Sequence, residues 1–288
     1  MAAIKPAGQP TETASNGARR CELCLRVASA AVLAPLAIGA AYLGGPAFLA
    51  FWALAAAGIL WEWTLLVGEP SRWRILAIGT AGILVGAALF AAHQPEAALT
   101  VVALAAIAAA AVAGTGRRLW ILLGSSYAGV MLAGPALLRR DAEFGFLAII
   151  LLFGVVWATD VMAYFAGRAM AGPKLWPAVS PKKTWSGAIG GVAAGVVVGS
   201  WMAWMAGLGN LAALAAVWAG LALAAEVGDL LESALKRRFA AKDASGLIPG
   251  HGGLMDRLDG FLAAVLVATL LGLIRGGLNG PARGLLIW

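Results

Sequence analysis

Residues 233–259 read SALKRRFAAKDASGLIPGHGGLMDRLD, and they lie between two strongly apolar runs, LAALAAVWAGLALAA at 211–225 and FLAAVLVATLLGLI at 261–274. The quoted segment holds five Lys or Arg residues, three Asp residues and a glycine-rich turn within 27 positions. Cationic side chains and glycine amides bind phosphate groups, and carboxylates bind Mg²⁺. The apolar flanks predict membrane helices, and the polar segment between them predicts a site at the membrane surface.

The composition of the 288-residue chain is that of an integral membrane protein. Hydrophobic residues make up 61% and charged residues 12%, whereas soluble domains carry about 25% charged residues. We predict about nine transmembrane helices, because a span needs roughly 20 apolar residues. The apolar runs lie at 25–44, 47–67, 75–93, 97–114, 119–138, 144–166, 186–207, 210–232 and 257–275. The predicted fold class is an all-α polytopic membrane protein with a cytosol-facing polar site built by the C-terminal half.

The positive charges predict the orientation in the membrane, which in a bacterium is the inner membrane. With nine spans and a cytoplasmic N-terminus, seventeen of the 21 Lys and Arg residues fall in cytosolic segments, as the positive-inside rule requires. The formal net charge of +7 favours contact with anionic headgroups and an anionic substrate. Nucleic acid is not an expected partner, because the basic residues lie in short loops between spans.

Two motifs carry a family resemblance. The spacing of Ser, Lys, Arg, Asp, His and Gly over 233–259 resembles the motif of the phosphatidate cytidylyltransferase (CDP-diacylglycerol synthase) family. The segments DVMAYFAGR at 160–168 and SPKKTWSG at 180–187 resemble a second motif of the same family. Ser186 stands where that family usually carries Glu, so a role for that carboxylate is not expected here. The resemblance covers roughly 144–275, while the first half shows only a similar pattern of spans.

The resemblance and the residue types together assign the candidate site. Asp229 and Asp256 are the expected metal ligands, because Mg²⁺ is held by one or two carboxylates plus substrate phosphates. The residues expected to act in catalysis are Asp229, Asp256, Lys236, Arg237, Lys242, Asp243, Arg257 and Asp259. The residues expected to bind substrate are Asp160, Tyr164, Arg168, Ser180, Lys182, Lys183, Thr184, Ser233, His251, Gly252 and Gly253.

Each assignment has a structural alternative. The carboxylates are alternatively partners in ion pairs, for example Asp229 or Glu232 with Lys236. The SPKKT segment is alternatively a turn before a helix, with Thr184 as the N-cap. Glu226 and Asp229 share a helix face at i, i+3.

The resemblance implies transfer of a cytidylyl group from CTP to phosphatidate, giving CDP-diacylglycerol and pyrophosphate in phospholipid biosynthesis. It implies Mg²⁺ as the cofactor, with a second cation left open. The implied partners are CTP, phosphatidate in the bilayer, and a second copy of the chain in a homodimer. Two other functions stay open, a CTP-dependent kinase of polyprenol- or dolichol-type lipids and a cation-coupled transporter. A transporter predicts carboxylates near the bilayer midplane, whereas here they lie with basic residues near one face.

Composition divides the chain into three segments. Residues 1–24 are polar and predict a disordered cytosolic tail, and residues 25–140 predict a transmembrane scaffold. Residues 141–288 predict the transmembrane catalytic region. Glu62, between two Trp residues in the scaffold, is interpreted as an interfacial residue, because Trp is common at membrane interfaces. The alternative is that Glu62 faces a polar cavity.

Overall fold

The computed structural model describes residues 31–247 and 252–288, and most of them are helical. The predicted tail at 1–24 and the candidate residue His251 lie outside the described residues. The helices are α1 (Ala31–Leu43), α2 (Gly45–Val67), α3 (Arg72–Ala91), α4 (Pro95–Ala111), α5 (Arg118–Arg139), α6 (Gly145–Met170), α7 (Trp185–Met205), α8 (Leu211–Arg238), α9 (Met255–Gly276) and α10 (Pro281–Leu286). A 3₁₀ turn at Thr115–Arg117 precedes α5.

Seven helices in the described ranges are long and apolar enough to cross a membrane, namely α2, α3, α5 with its 3₁₀ turn, and α6 to α9. Helices α1 and α4 are apolar but shorter. The first predicted run, 25–44, lies partly outside the described residues. The prediction of an all-α polytopic membrane protein is confirmed, and the count of nine spans stays a prediction.

One aromatic cluster joins the two halves of the chain. Trp52 of α2 stacks on Phe261 of α9 with ring centroids 4.9 Å apart, and Phe153 of α6 lies 5.3 Å from Phe261. All three rings are buried. The predicted scaffold and the predicted catalytic region therefore share one apolar core.

Helix α7 packs closely against α6 because it carries glycine at every fourth position of one face. A Cβ at Gly187 would lie 2.8 Å from the Ala163 carbonyl oxygen, and a Cβ at Gly191 would lie 2.8 Å from the Thr159 carbonyl oxygen. Small residues at this spacing allow membrane helices to approach backbone to backbone. The close packing fixes the start of α7 beside the last turns of α6.

A small antiparallel hairpin that the sequence did not predict connects these two helices. It consists of β1 (Lys174–Trp176) and β2 (Ser180–Thr184), with Lys174 opposite Thr184. Strand β2 contains a proline and two lysines instead of an apolar alternation, so the usual strand signal is missing. The predicted N-cap is confirmed, because the Thr184 hydroxyl accepts a hydrogen bond from the Gly187 amide at 3.1 Å.

Candidate functional site

A cavity of about 1160 Å³ lies where α6 and α8 end and α7 and α9 begin. Both sequence motifs contribute to its wall, although they are far apart in the chain. The charged and hydroxyl side chains that line it are Asp160, Tyr164, Arg168, Lys174, Lys182, Lys183, Thr184, Glu226, Asp229, Lys236, Asp243, Asp256, Arg257 and Asp259. Twelve of these were candidate site residues, so the structure gathers most of the predicted set in one place.

Helix α6 presents one face of its last turns to the cavity. Asp160, Tyr164 and Arg168 are spaced by four residues, which places them above one another on the helix. The Arg168 guanidinium donates a hydrogen bond to the Tyr164 hydroxyl at 3.0 Å. This face therefore supplies one carboxylate and one cation to the site.

Lys183 of β2 reaches across the cavity to α8. Its Nζ lies 2.8 Å from Glu226 Oε2 and 2.8 Å from Asp229 Oδ2. Burial lowers the pKa of Lys183, but the charges of Asp229 and Glu226 and their hydrogen bonds outweigh burial and raise the pKa above its ordinary value. Lys183 therefore remains a cation between two carboxylates, whereas the neighbouring Lys182 is exposed at the cavity wall.

A second ion cluster connects α8 with α9. Lys236 Nζ lies 2.5 Å from Asp256 Oδ1 and 2.6 Å from Glu232 Oε2. The contact with Glu232 is an ion pair by distance but lacks hydrogen-bond alignment. The side chains of Glu232 and Asp256 are largely buried, and burying a carboxylate without a cation is costly. Lys236 therefore forms ion pairs, as in the alternative assignment, and also lines the cavity.

Asp256 also organises the segment before its own helix. Its Oδ2 accepts hydrogen bonds from the Gly253 amide at 2.7 Å and the Ala244 amide at 3.1 Å. Asp229 likewise has a local partner, because the Ser233 hydroxyl donates to its Oδ1 at 3.3 Å. Both predicted metal-binding carboxylates are therefore held in place by several contacts.

Some predicted residues lie away from the cavity wall. Arg237 donates to the Ala241 carbonyl oxygen at 2.9 Å, which closes the end of α8. The Gly253 amide donates its hydrogen bond to Asp256, and Gly253 does not line the cavity. The predicted residues that do not line the cavity are Ser180, Ser233, Arg237, Lys242, Gly252 and Gly253. Their predicted roles stay predictions.

The structure adds charged residues that the sequence did not assign to the site. Glu226 and Lys174 line the cavity, and Glu232 shares Lys236 with Asp256. Glu226 carried a usable signal, because it is a carboxylate inside an apolar run on the same helix face as Asp229. The side chain of Glu62, interpreted as an interfacial residue, is fully buried against the Leu254 and Met255 amides, and its depth in the membrane stays a prediction.

Ser186, at the family's usual Glu position, has a structural role in this chain. Its hydroxyl donates to the carbonyl oxygen of Ala171, where α6 turns into the hairpin. It also lies 3.0 Å from the Thr184 hydroxyl oxygen. Ser186 therefore joins the hairpin to the start of α7.

The residues at the cavity fit a divalent cation by their chemistry. In residues 31–247 and 252–288, no group of three or more His, Cys, Asp or Glu side chains is arranged as a ligand set. Mg²⁺ needs fewer protein ligands, because it keeps several waters and substrate phosphates and takes one or two carboxylates. Asp229 and Asp256 both line the cavity and are carboxylates of this kind.

Comparison with known proteins agrees with the geometry. A protein from Brucella abortus biovar 1 (strain 9-941), named phosphatidate cytidylyltransferase, is 41% identical over 252 residues, which are 86% of this chain and 93% of the relative. A protein of the same name from Pseudomonas aeruginosa is 35% identical over 265 residues, 85% of this chain and 95% of the relative. One from Bacillus subtilis (strain 168) is 36% identical over 144 residues, 50% of this chain and 54% of the relative.

The likeness extends beyond the two motifs into the N-terminal half, where the sequence alone indicated only a similar pattern of spans. A model of the cytidylyltransferase family matches residues 24–274, which include α2 to α8 and all but the last two residues of α9. The integral membrane protein described here belongs to the cytidylyltransferase family.

Proposed function

We propose that this protein transfers the cytidylyl group of CTP to phosphatidate, giving CDP-diacylglycerol and pyrophosphate in phospholipid biosynthesis. The observation that carries the proposal is the cavity of about 1160 Å³, which combines six carboxylates and several cations at one end of a bundle of membrane helices. At the end of a membrane bundle, a site is accessible both to the phosphate of a lipid in the bilayer and to a nucleoside triphosphate in water. Relatives named phosphatidate cytidylyltransferase support this substrate pair.

The transfer needs little acid–base chemistry from the protein. An ionised phosphate oxygen of phosphatidate attacks the α-phosphorus of CTP and forms the new P–O bond. The bond between the α-phosphorus and the oxygen that bridges to the β-phosphate breaks, and pyrophosphate leaves with that electron pair. The nucleophile carries no proton at neutral pH, so no strong base is required. The barrier lies in bringing two polyanions together and in stabilising the charge of the leaving group.

The cations of the cavity wall meet this requirement. Lys182, Lys174 and Arg168 are exposed at one wall, where they neutralise phosphate oxygens as charge-assisted donors. Arg257, on the first turn of α9, also lines the cavity. Lys183 and Lys236 are held between carboxylates and so keep the two acidic clusters in place.

We also propose Mg²⁺ as the cofactor, held by Asp229 and Asp256, with a second cation left open. When bound, Mg²⁺ neutralises phosphate charge and polarises the bonds to phosphorus. The homodimer implied by the family resemblance stays a prediction.

The function is tested with purified protein, phosphatidate, Mg²⁺ and CTP labelled at either the α- or the γ-phosphate. The proposed transfer puts the α-label into the lipid fraction and leaves the γ-label in pyrophosphate. A parallel assay replaces phosphatidate with a polyprenol. A lipid kinase that uses CTP would put the γ-label into that lipid. A transporter would put neither label into the lipid. Absence of α-label in the lipid fraction would refute the proposal.

The orientation proposal places the cavity and the N-terminus on the cytosolic side. In a Cys21→Ser, Cys24→Ser background, we expect Ala178→Cys and Gly246→Cys to react with a membrane-impermeant maleimide only after the cells are opened. Both positions are exposed at the cavity end of the bundle. Ala142→Cys lies between α5 and α6 at the other end and should react in intact cells. Labelling of position 178 or 246 in intact cells would contradict this orientation.

Ser186→Glu tests whether the family's usual carboxylate matters in this chain. We expect turnover to change by less than about tenfold, or roughly 1.4 kcal/mol, because Ser186 contacts the hairpin and does not line the cavity. Steady-state kinetics on the folded variant measure the effect. A hundredfold gain would mean that the natural chain is impaired or has a different task.

A further inference from the structure

Glu62 lies in the predicted scaffold, yet its carboxylate holds the segment that leads into α9. The Ser245 hydroxyl donates to Glu62 Oε1 at 2.6 Å, and the Leu254 amide donates to the same oxygen at 2.7 Å. The Met255 amide donates to Oε2 at 2.6 Å. Glu62 is fully buried on α2 and does not line the cavity.

The backbone around these contacts is fitted to Glu62. A Cβ at Gly253 would lie 2.8 Å from Glu62 Oε1, so this position has no room for a side chain while the carboxylate stays in place. One turn earlier on α2, a Cβ at Gly58 would lie 2.8 Å from the Leu254 side chain. Gly58 and Glu62 are four residues apart and share a helix face. That face of α2 is therefore shaped to receive residues 253–255.

Two carboxylates share the amides at the start of α9. The Gly253 amide donates to Asp256, and the next two amides donate to Glu62. The first amides of a helix have no partner inside the helix, and negative charge is favourable at that end. Glu62 on α2 thus supplies acceptors for the Leu254 and Met255 amides, which precede Asp256 and Arg257 by one to three residues.

We infer that Glu62 is a positioning residue for the transfer reaction: through the Leu254 and Met255 amides it sets the start of α9, and with it Asp256 and Arg257 at the cavity wall. This inference rests on the proposed function. A displacement near 1 Å is enough to lower catalysis by about a hundredfold. The scaffold half of the chain therefore has a direct part in assembling the site.

Glu62→Gln tests the inference, because glutamine keeps the size but turns an NH₂ group toward backbone amides. We expect kcat for labelled cytidylyl transfer to fall by about tenfold or more, with KM for CTP changed less than about threefold. Hydrogen exchange of the peptide that contains Leu254 and Met255 should accelerate by about tenfold or more. The exchange measurement needs no turnover, so it stands even if the proposed substrates are wrong.

Glu69→Gln is the matched control. Glu69 is also buried and follows the same helix, but it accepts hydrogen bonds from Ser71 and Gly114 and not from the segment before α9. In the Glu69→Gln protein, we expect the hydrogen exchange of Leu254 and Met255 and the kcat to equal those of the natural protein. Normal kcat and normal exchange in a folded Glu62→Gln protein would overturn the inference, as would equal losses in both variants.

A second variant keeps the test decisive if Glu62→Gln does not fold. Gly253→Ala retains the charge of Glu62 but places a methyl group against its carboxylate, so it should accelerate the same exchange and lower kcat. Gly246→Ala, where an added Cβ meets nothing within 4 Å, is its control and should do neither. A Gly253→Ala protein that matches this control in both measurements would also overturn the inference.

Discussion

Asp256→Asn is expected to lower turnover by more than about a hundredfold, or at least roughly 2.7 kcal/mol, in a protein that still inserts and folds. Asparagine keeps the size of the side chain but removes one negative charge and one of the two acceptor oxygens. Those oxygens now bind Lys236, Gly253 and Ala244. Asp229→Asn should have an effect of the same size, because its carboxylate lines the same cavity and is proposed to hold the same cation.

The double variant separates metal binding from ion pairing. If Asp229 and Asp256 act on one cation, losing both should be scarcely worse than losing either, because residues that act as a unit are not additive. If they serve only as ion-pair partners of lysines, the loss should appear as a lower melting temperature with normal turnover per folded molecule. Asp259→Asn, on the same helix as Asp256, is the comparison and should cause a smaller loss. Full activity in well-folded Asp256→Asn would remove the proposed metal site.

Lys183→Met is expected to have the second-largest effect, a loss of turnover of more than about thirtyfold, or roughly 2 kcal/mol, together with a lower melting temperature. The cation lies 2.8 Å from both Glu226 and Asp229, so its removal leaves two carboxylates facing each other without compensation. Breaking a buried ion pair by removing one partner costs about 3–5 kcal/mol. The stability loss here should be smaller, because the Lys183 side chain is 20% exposed.

Lys182→Met is the matched control from the adjacent residue. Lys182 has the same charge and lines the same cavity but is exposed, so its variant should lose substrate affinity with little change in melting temperature. The pKa of Lys183 is raised in the folded protein, so its contribution to stability is present below the ordinary value of 10.5 and is lost as pH rises through the higher folded-state pKa. Equal melting temperatures in the two variants at neutral pH would contradict the bridging role.

The sequence by itself determined the class of fold and most of the site. Long apolar runs have few stable structures other than membrane helices, because a lipid environment leaves backbone groups no partners except one another. The motifs at 160–187 and 233–259 indicated which charged residues belong together, because both resemble motifs of one family, and carboxylates near the ends of apolar runs are candidates for function. Those signals are local in the chain, so they can be recognised without knowing the tertiary structure.

Only the tertiary structure decided which groups touch. Lys183 contacts Glu226, which lies 43 residues later in the chain. Glu62 contacts Leu254, which lies 192 residues later. Neither pairing leaves a periodic pattern, because each depends on how separate helices pack and not on the spacing within one helix. The contacts of Glu62 could not be predicted for this reason: its flanking Trp residues are typical of a membrane interface, whereas its burial results from the close fit between α2 and the start of α9. The same long-range packing brings a residue of the predicted scaffold into contact with the start of α9, although no residue of α2 to α5 lines the cavity.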